Sequence, residues 1–341
     1  MISTRKDDHL RICLERDVRA QSLGTGLDRY RFVHQALPEL SLAQVNLSTT
    51  FLSKSLQAPL LISSMTGGTR PAQAVNRRLA EAAQHLGLGM GVGSQRAALE
   101  DAQWTDTYCV RDVAPDILLI ANLGAVQLKG AHAIEHCQRA VDMIAADALA
   151  LHLNPLQEGL QPEGDTDFGG VLEKIQDVCR TLPVPVIVKE VGYGLSGQVA
   201  RQLADAGVSA VDVAGAGGTS WSEVERYRAR TPEQERVASQ FVDWGIPTAD
   251  SIRMVRSAAP DLPLIASGGI ETGIDVAKCL ALGANLAGLA WPLLRPALLS
   301  SEAVIGELEV IIQTLRVAMF CIGAPSVADL RHTPHLREVR E

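Results

Sequence analysis

Residues 184–220 read VPVIVKEVGYGLSGQVARQLADAGVSAVDVAGAGGTS. The stretch opens on an apolar run, 184–190, too short for an ordinary helix and set between proline and glycine. A helical pattern follows, with Val199 and Leu203 on one face. A second apolar run, 208–214, then leads into a Gly-rich turn. Strand, helix and strand in this order predict two parallel strands joined by a right-handed crossover.

The unit recurs on both sides. Apolar runs at 58–64, 87–93, 116–122 and 147–153 precede it, and runs at 262–267 and 285–290 follow. Helical patterns lie between them: Val75, Leu79, Ala82 and Leu86, then Ile134, Cys137, Val141 and Ile144, then Val276 and Leu280. Thr272 followed by Asp275 reads as a capped helix start. Eight such units predict an α/β fold that closes into a (β/α)8 TIM barrel. An open doubly wound sheet is the alternative, but no cofactor fingerprint follows the first strand. Residues 1–57 form an N-terminal extension flanking a barrel at 58–341, and 220–249 form a long insertion or lid after strand 6.

The whole-chain numbers suit a soluble globular protein. The 341 residues are 47% hydrophobic, 21% charged and only 4% aromatic. A net charge of −8 argues against nucleic acid or an anionic membrane as partner, leaving a small molecule held in a local pocket. Six cysteines form no CxxC and no zinc-like cluster; with a charged, non-apolar start, this points to the cytoplasm. No apolar run is long enough to span a bilayer.

A barrel places its chemistry at the C-terminal ends of the strands. Those ends carry Ser63 to Gly68, Gly93 to Arg96, Asn122 to Gly124, His152 to Glu158, Lys189-Glu190, Gly215 to Thr219, Ser267 to Gly269 and Ala290-Trp291. The turns after strands 6, 7 and 8 read as Gly-rich and suit a phosphate, because glycine lets backbone N–H groups come close. Lys189 ends an apolar strand, so it needs a carboxylate partner or an electron-rich ligand atom. Glu158 is either a loop acid or one ligand of a magnesium ion shared with substrate phosphates. His152 is either a satisfied core histidine or a site residue. Arg96 suits an oxyanion, whereas Arg5 and Lys6 read as a solvated charge run.

Across nearly the whole chain the motifs resemble one family, the type 2, flavin-dependent isopentenyl-diphosphate isomerases. They are RKDDHL near the start, SSMTGG at 63–68, GSQR at 93–96, NLGA at 122–125, HLNPLQE at 152–158, VIVKEVGYGLS at 186–196, DVAGAGGTSW at 212–221, DWGIPTA at 243–249 and SGGIETGIDVAK at 267–278. HLNPLQE and AGAGGTSW are the specific ones.

The resemblance implies roles. Ser64, Met65, Thr66, Ser94, Asn122, Lys189 and Thr219 would contact FMN; Gly268, Gly269, Ile270, Glu271, Ala290 and Trp291 would hold its phosphate region. Arg5, Lys6, Ser94, Gln95, Arg96, His152, Asn154 and Gln157 would bind the diphosphate substrate, and Glu158 would bind Mg2+. Lys189, His152 and Gln157 are the expected catalytic set, with NAD(P)H reducing the flavin, in a homo-oligomer of four or eight chains. Glu271 and Trp291 depart from the family pattern, where a basic or neutral residue and Arg are usual. A 2-hydroxy-acid oxidase uses the same barrel but wants a His after a late strand, and the turn at 267–271 has none. An inosinate-type dehydrogenase wants a Cys after strand 6, where GGTSW has none. The density of polar residues at the strand ends argues against a non-catalytic binding protein.

Overall fold

The computed structural model describes residues 2–130 and 132–339, with side chains from Lys6 onward. Among these residues eight parallel strands close into a barrel. They are β1 (Leu60–Ile62), β2 (Gly89–Gly91), β3 (Leu119–Gly124), β4 (Ala148–His152), β5 (Val186–Lys189), β6 (Ala210–Asp212), β7 (Leu264–Ala266) and β8 (Leu286–Leu289). The ring closes where β8 pairs with β1, Gly288 opposite Leu61.

Both faces of this sheet are buried, which is why its strands read as unbroken apolar runs. Alternate residues serve two cores. Leu60, Ile62, Leu119, Leu149, Val188 and Leu264 face outward to the helices. Leu61, Ile120, Ala150, Ile187, Ala210 and Ile265 fill the barrel interior. A short hairpin, Thr49–Phe51 with Lys54–Leu56, adds Phe51 and Leu56 to that inner core.

The helices start and stop as their sequences direct. Thr69 caps Arg70–Leu86 by accepting from Ala72 N, and Gly87 ends it in the left-handed conformation. Ser196 caps Gly197–Asp205, and Thr272 with Asp275 completes a capping box on Gly273–Ala281. Cys137 and Cys279 are buried in these layers, Cys179 is half-buried, and all six cysteines are free thiols.

Two segments differ from the sequence reading. The run at 116–122 is displaced, because Leu118 already packs inside the barrel and the ladder continues to Gly124. The charged start is not a solvated tail. It forms a helix, Ile2–Glu15, packed against the helix Trp221–Arg228 that follows β6. Ile12, Val18 and Val224 bury one another there, with Trp221 and Cys13 alongside. A strap at 16–29 then crosses the barrel mouth, pairing Arg19 with Thr219 and anchoring Ser22 and Leu23 amides on Asp243. The residues at 220–249 fold as two helices, Trp221–Arg228 and Pro232–Ser239, and a turn.

Candidate active site

Side chains alternate along a strand, so two residues beyond the inner aliphatic layer the chain points inward again. The successors of Leu61, Ile120, Ala150, Ile187, Ala210 and Ile265 are Ser63, Asn122, His152, Lys189, Asp212 and Ser267. The barrel therefore ends in a polar layer, above which a cavity of ≈ 300 Å³ opens. Gly91 and Gly288 complete the layer: a Cβ on either would lie 2.5 Å from the hydroxyl of Ser64 or Ser63.

Lys189 is 9% exposed, and its Nζ donates to the Glu190 carbonyl at 2.5 Å. Parallel register sets Asp212 beside it on β6 and His152 on β4. Asp212 is 2% exposed and accepts from Ser267 Oγ at 2.6 Å and Ala214 N at 3.2 Å. Burial pushes its carboxyl up, and the Lys189 charge and the two donors only partly counter this. Asn122 Nδ2 donates to the Val92 carbonyl at 3.2 Å, so its Oδ1 is the acceptor facing His152 Nδ1 at 2.8 Å. That arrangement assigns the proton to Nδ1 of His152.

The helix Pro155–Leu160 builds a carboxamide cluster beside this layer. Asn154 Nδ2 donates to Gln157 Oε1 at 3.2 Å and to Glu158 Oε1 at 3.0 Å. Glu158 Oε2 accepts from Gln161 Nε2 at 2.5 Å and Asp165 N at 2.7 Å. Asn154 Oδ1, like Ser63 Oγ, is buried without a hydrogen-bond partner among the described residues, and both residues border the cavity. A buried orphan acceptor of this kind points to a ligand.

Lys6 reaches down from the N-terminal helix, its Nζ 2.7 Å from the Ser94 carbonyl and 2.6 Å from Tyr108 Oη. His9 lies 3.0 Å from Glu225 Oε1 and edge-on to Trp221, with ring centroids 5.1 Å apart. Glu225 also pairs with Arg228 at 2.6 Å. Burial alone would raise the Glu225 carboxyl, but His9 and Arg228 outweigh it and hold it below its ordinary range. A depressed carboxyl stabilises the closed arrangement above its unfolded pKa of about 4.3, and that contribution is lost as pH falls through the folded value. Glu225→Gln is therefore expected to free the N-terminal helix at neutral pH. Limited proteolysis should cut within residues 2–15 faster in this variant, and in the parent at low pH, with the barrel intact. Equal cutting rates in parent and variant at neutral pH would show that Glu225 does not hold the cap.

The wall formed by the loops after β6 and β7 is backbone against backbone. Gly268 has φ +102°, and a Cβ there would sit 2.1 Å from the Gly215 carbonyl oxygen. A Cβ on Gly218 would lie 2.5 Å from Gly269 N. Gly268→Ala combines a strained conformation with a clash that neither loop can relieve, so it should cost about 3 kcal/mol or more. Thermal unfolding would register this as a large fall in Tm; an unchanged Tm would mean that the loops separate freely.

Ser64, Met65, Thr66, Ser94, Arg96 and Asn122 border the cavity, as do His152, Asn154, Gln157, Glu158, Lys189 and Thr219. Gly268 to Glu271, Ala290 and Trp291 do too, as does Lys6. Arg96 is held by Glu100 at 2.8 Å. Gln95 is a correction: it is fully buried away from the cavity, its Oε1 accepting from Asn122 N at 2.9 Å and its Nε2 donating to the Ala140 carbonyl at 2.8 Å. It braces β3 instead of facing a ligand. The Arg5 side chain lies outside the described residues. The sequence reading missed His9, Arg19, Gln127, Gln161 and Asp212. Gln161 could have been found, since 154, 157, 158 and 161 share a helical face; Asp212 could have been found by extending the strand alternation.

The profile of the FMN-dependent dehydrogenase family matches residues 156–338. An isopentenyl-diphosphate delta-isomerase of Nostoc sp. (strain PCC 7120) is 53% identical over 337 residues, covering 99% of this chain and 96% of that one. Another, from Synechococcus sp. (strain ATCC 27144), is 56% identical over 333 residues, covering 98% and 96%. Among solved structures, a flavocytochrome b2 variant with pyruvate bound superposes with a TM-score of 0.73 at 16% identity, covering 96% of this chain and 82% of that one. A Pediococcus acidilactici lactate oxidase gives 0.69 at 16% identity, covering 95% and 89%. At these identities the oxidases share the fold alone.

Proposed function

Because the chain belongs to the isopentenyl-diphosphate delta-isomerase family, on an FMN-dependent dehydrogenase barrel, we propose that it interconverts isopentenyl and dimethylallyl diphosphate for isoprenoid biosynthesis, with FMN, Mg2+ and NAD(P)H. The observation that carries this reading is one cavity with Lys189 at its base, a glycine wall on one side, and the Asn154–Glu158 cluster with Lys6 and Arg96 on the other. A flavin fits it. Its border joins a buried lysine, backbone glycine loops at one end and the orphaned Ser63 hydroxyl, a donor set that suits a flavin.

When bound, reduced FMN supplies the acid–base group that moves the alkene proton, and NAD(P)H keeps it reduced. The acids bordering the cavity, among the described residues, are Glu158 and Glu271. Glu158 is occupied as an acceptor by three N–H donors, and Glu271 lies at the glycine end, so neither is placed to protonate a hydrocarbon. Ser64, Met65, Thr66, Ser94, Asn122 and Thr219 would pack on the flavin ring, with Gly268, Gly269, Ile270, Glu271, Ala290 and Trp291 around its phosphate. Lys189 would hold positive charge against the electron-rich edge of the ring, kept in place by the Glu190 carbonyl and Asp212.

His152, with its proton on Nδ1, would join Gln157, Asn154, Arg96, Lys6, Ser94 and, from the same helix, Arg5 in orienting the diphosphate. Glu158 offers hard oxygen donors and would bind Mg2+ jointly with the substrate phosphates, which suits a single carboxylate. The N-terminal helix, whose Lys6, His9, Leu10 and Cys13 border the cavity, would exclude water from the alkene. We place the enzyme in the cytoplasm as a homotetramer or octamer; no helix among the described residues is long and apolar enough to cross a membrane.

The test is anaerobic incubation of the protein with dithionite-reduced FMN, Mg2+ and labelled isopentenyl diphosphate. Label should appear in dimethylallyl diphosphate, and only while the flavin is reduced. Absence of exchange with a fully reduced, bound flavin would sink the reading.

A further inference from the structure

The phosphate of a ligand in a barrel of this kind lies beyond the last two strands, on backbone amides. Here that end of the cavity carries an opposing charge, Glu271, next to Gly268 and Gly269. The other basic side chains bordering the cavity among the described residues have partners elsewhere. Lys6 meets Ser94 and Tyr108, Arg96 meets Glu100, Lys189 meets Glu190, His9 meets Glu225 and His152 meets Asn122. Lys278 and Arg295 are tied to the carbonyls of Leu27 and Leu14 and do not border the cavity. Arg19 does border it, and it belongs to the strap, not to the barrel.

We propose that Arg19 is the counter-ion for the phosphate of the bound flavin, delivered across the barrel mouth by the N-terminal strap; this rests on the FMN reading above. Its backbone is fixed by the bridge to Thr219 and by Ser220 N donating to the Val18 carbonyl at 2.7 Å. Close packing seats the same strap against the glycine loop, since a Cβ on Gly217 would come within 2.2 Å of Thr25 N. The guanidinium, by contrast, is half exposed and, among the described residues, hydrogen-bonded only to Asp17, at 3.0 and 3.1 Å. Asp17 first, and Glu271 to a lesser degree, hold Arg19 above its ordinary range, which sets Glu271 within its electrostatic reach.

An exposed pair with Asp17 is weak and salt-screened. A phosphate dianion offers the same fork more charge and more acceptor oxygens, so Arg19 exchanges partners when the ligand arrives. It thereby offsets the repulsion between that dianion and Glu271. The barrel supplies the amides and the strap supplies the charge.

The test compares FMN with riboflavin, which differs by the phosphate alone, in fluorescence-quenching titrations of the full-length chain. Arg19→Ala should weaken FMN binding roughly ten-fold or more, the scale of a lost charge-assisted hydrogen bond, and leave riboflavin binding unchanged. Arg19→Lys should recover part of the loss, and Glu271→Gln in the parent should tighten FMN but not riboflavin. Unchanged FMN affinity in Arg19→Ala, or equal weakening of both flavins, overturns the proposal; the second result would make Arg19 a strut of the strap. If the parent binds neither flavin, the FMN reading itself falls, and this proposal falls with it.

Discussion

Lys189→Met is expected to lower turnover by roughly 10²–10³-fold or more, the scale set by removing one preorganised group from a dry site, with the barrel still folded. The side chain enters the polar layer from β5 and is almost wholly buried, so water cannot stand in for its charge. Methionine keeps the unbranched shape and nearly the volume of lysine, which separates loss of charge from loss of packing. The substitution strands Asp212, a buried carboxyl whose upward shift from burial the Lys189 charge partly counters, and a stability loss of about 1–3 kcal/mol should accompany it. Lys189→Met with Asp212→Asn should regain that stability without regaining turnover. Measurements of kcat and of Tm on the two variants separate these effects. Near-parent turnover in Lys189→Met would remove Lys189 from the mechanism.

Glu158→Gln should raise the Mg2+ concentration needed for half-maximal activity by roughly ten-fold or more, in keeping with the 10–100-fold losses typical of altered metal shells. The carboxylate is bound by Asn154 Nδ2, Gln161 Nε2 and Asp165 N, all donors. A carboxamide can turn only one oxygen toward them, and its NH2 would face a donor. The loop at 161–165 should loosen as a result, because it folds tightly over Glu158: a Cβ on Gly164 would lie 1.9 Å from the Glu158 carbonyl oxygen. Titrating Mg2+ at saturating substrate distinguishes the two consequences. A lost ligand shifts the metal curve, whereas a loosened loop lowers the plateau. If activity in the variant titrates with Mg2+ as in the parent, Glu158 is not the metal ligand.

The barrel was legible because each strand is buried on both faces and so writes itself as a short apolar run, and because each helix carries its own cap. The site was legible in part for the same reason. Strand ends are adjacent in sequence to the runs that identify them, so Asn122, His152 and Lys189 could be named before any coordinates. Gln95 shows the limit. It stands in a motif beside Ser94 and Arg96, yet its side chain turns into the wall to hold Asn122 and Ala140. Neighbours in sequence point opposite ways when the chain leaves a strand, and nothing local says which will face the ligand.

Periodicity and composition alone thus determined the strand–helix alternation, the closure into eight and the location of the chemistry at one rim, since these follow from repeats of two and of about 3.6 residues along a single stretch of chain. Only the tertiary structure decided that the charged start folds as a cap, that His9 meets Glu225, and that Arg19 borders the same cavity as Glu271. Those contacts join residues some two hundred positions apart. They arise from where closed strands and packed helices bring distant surfaces together, so no local pattern encodes them.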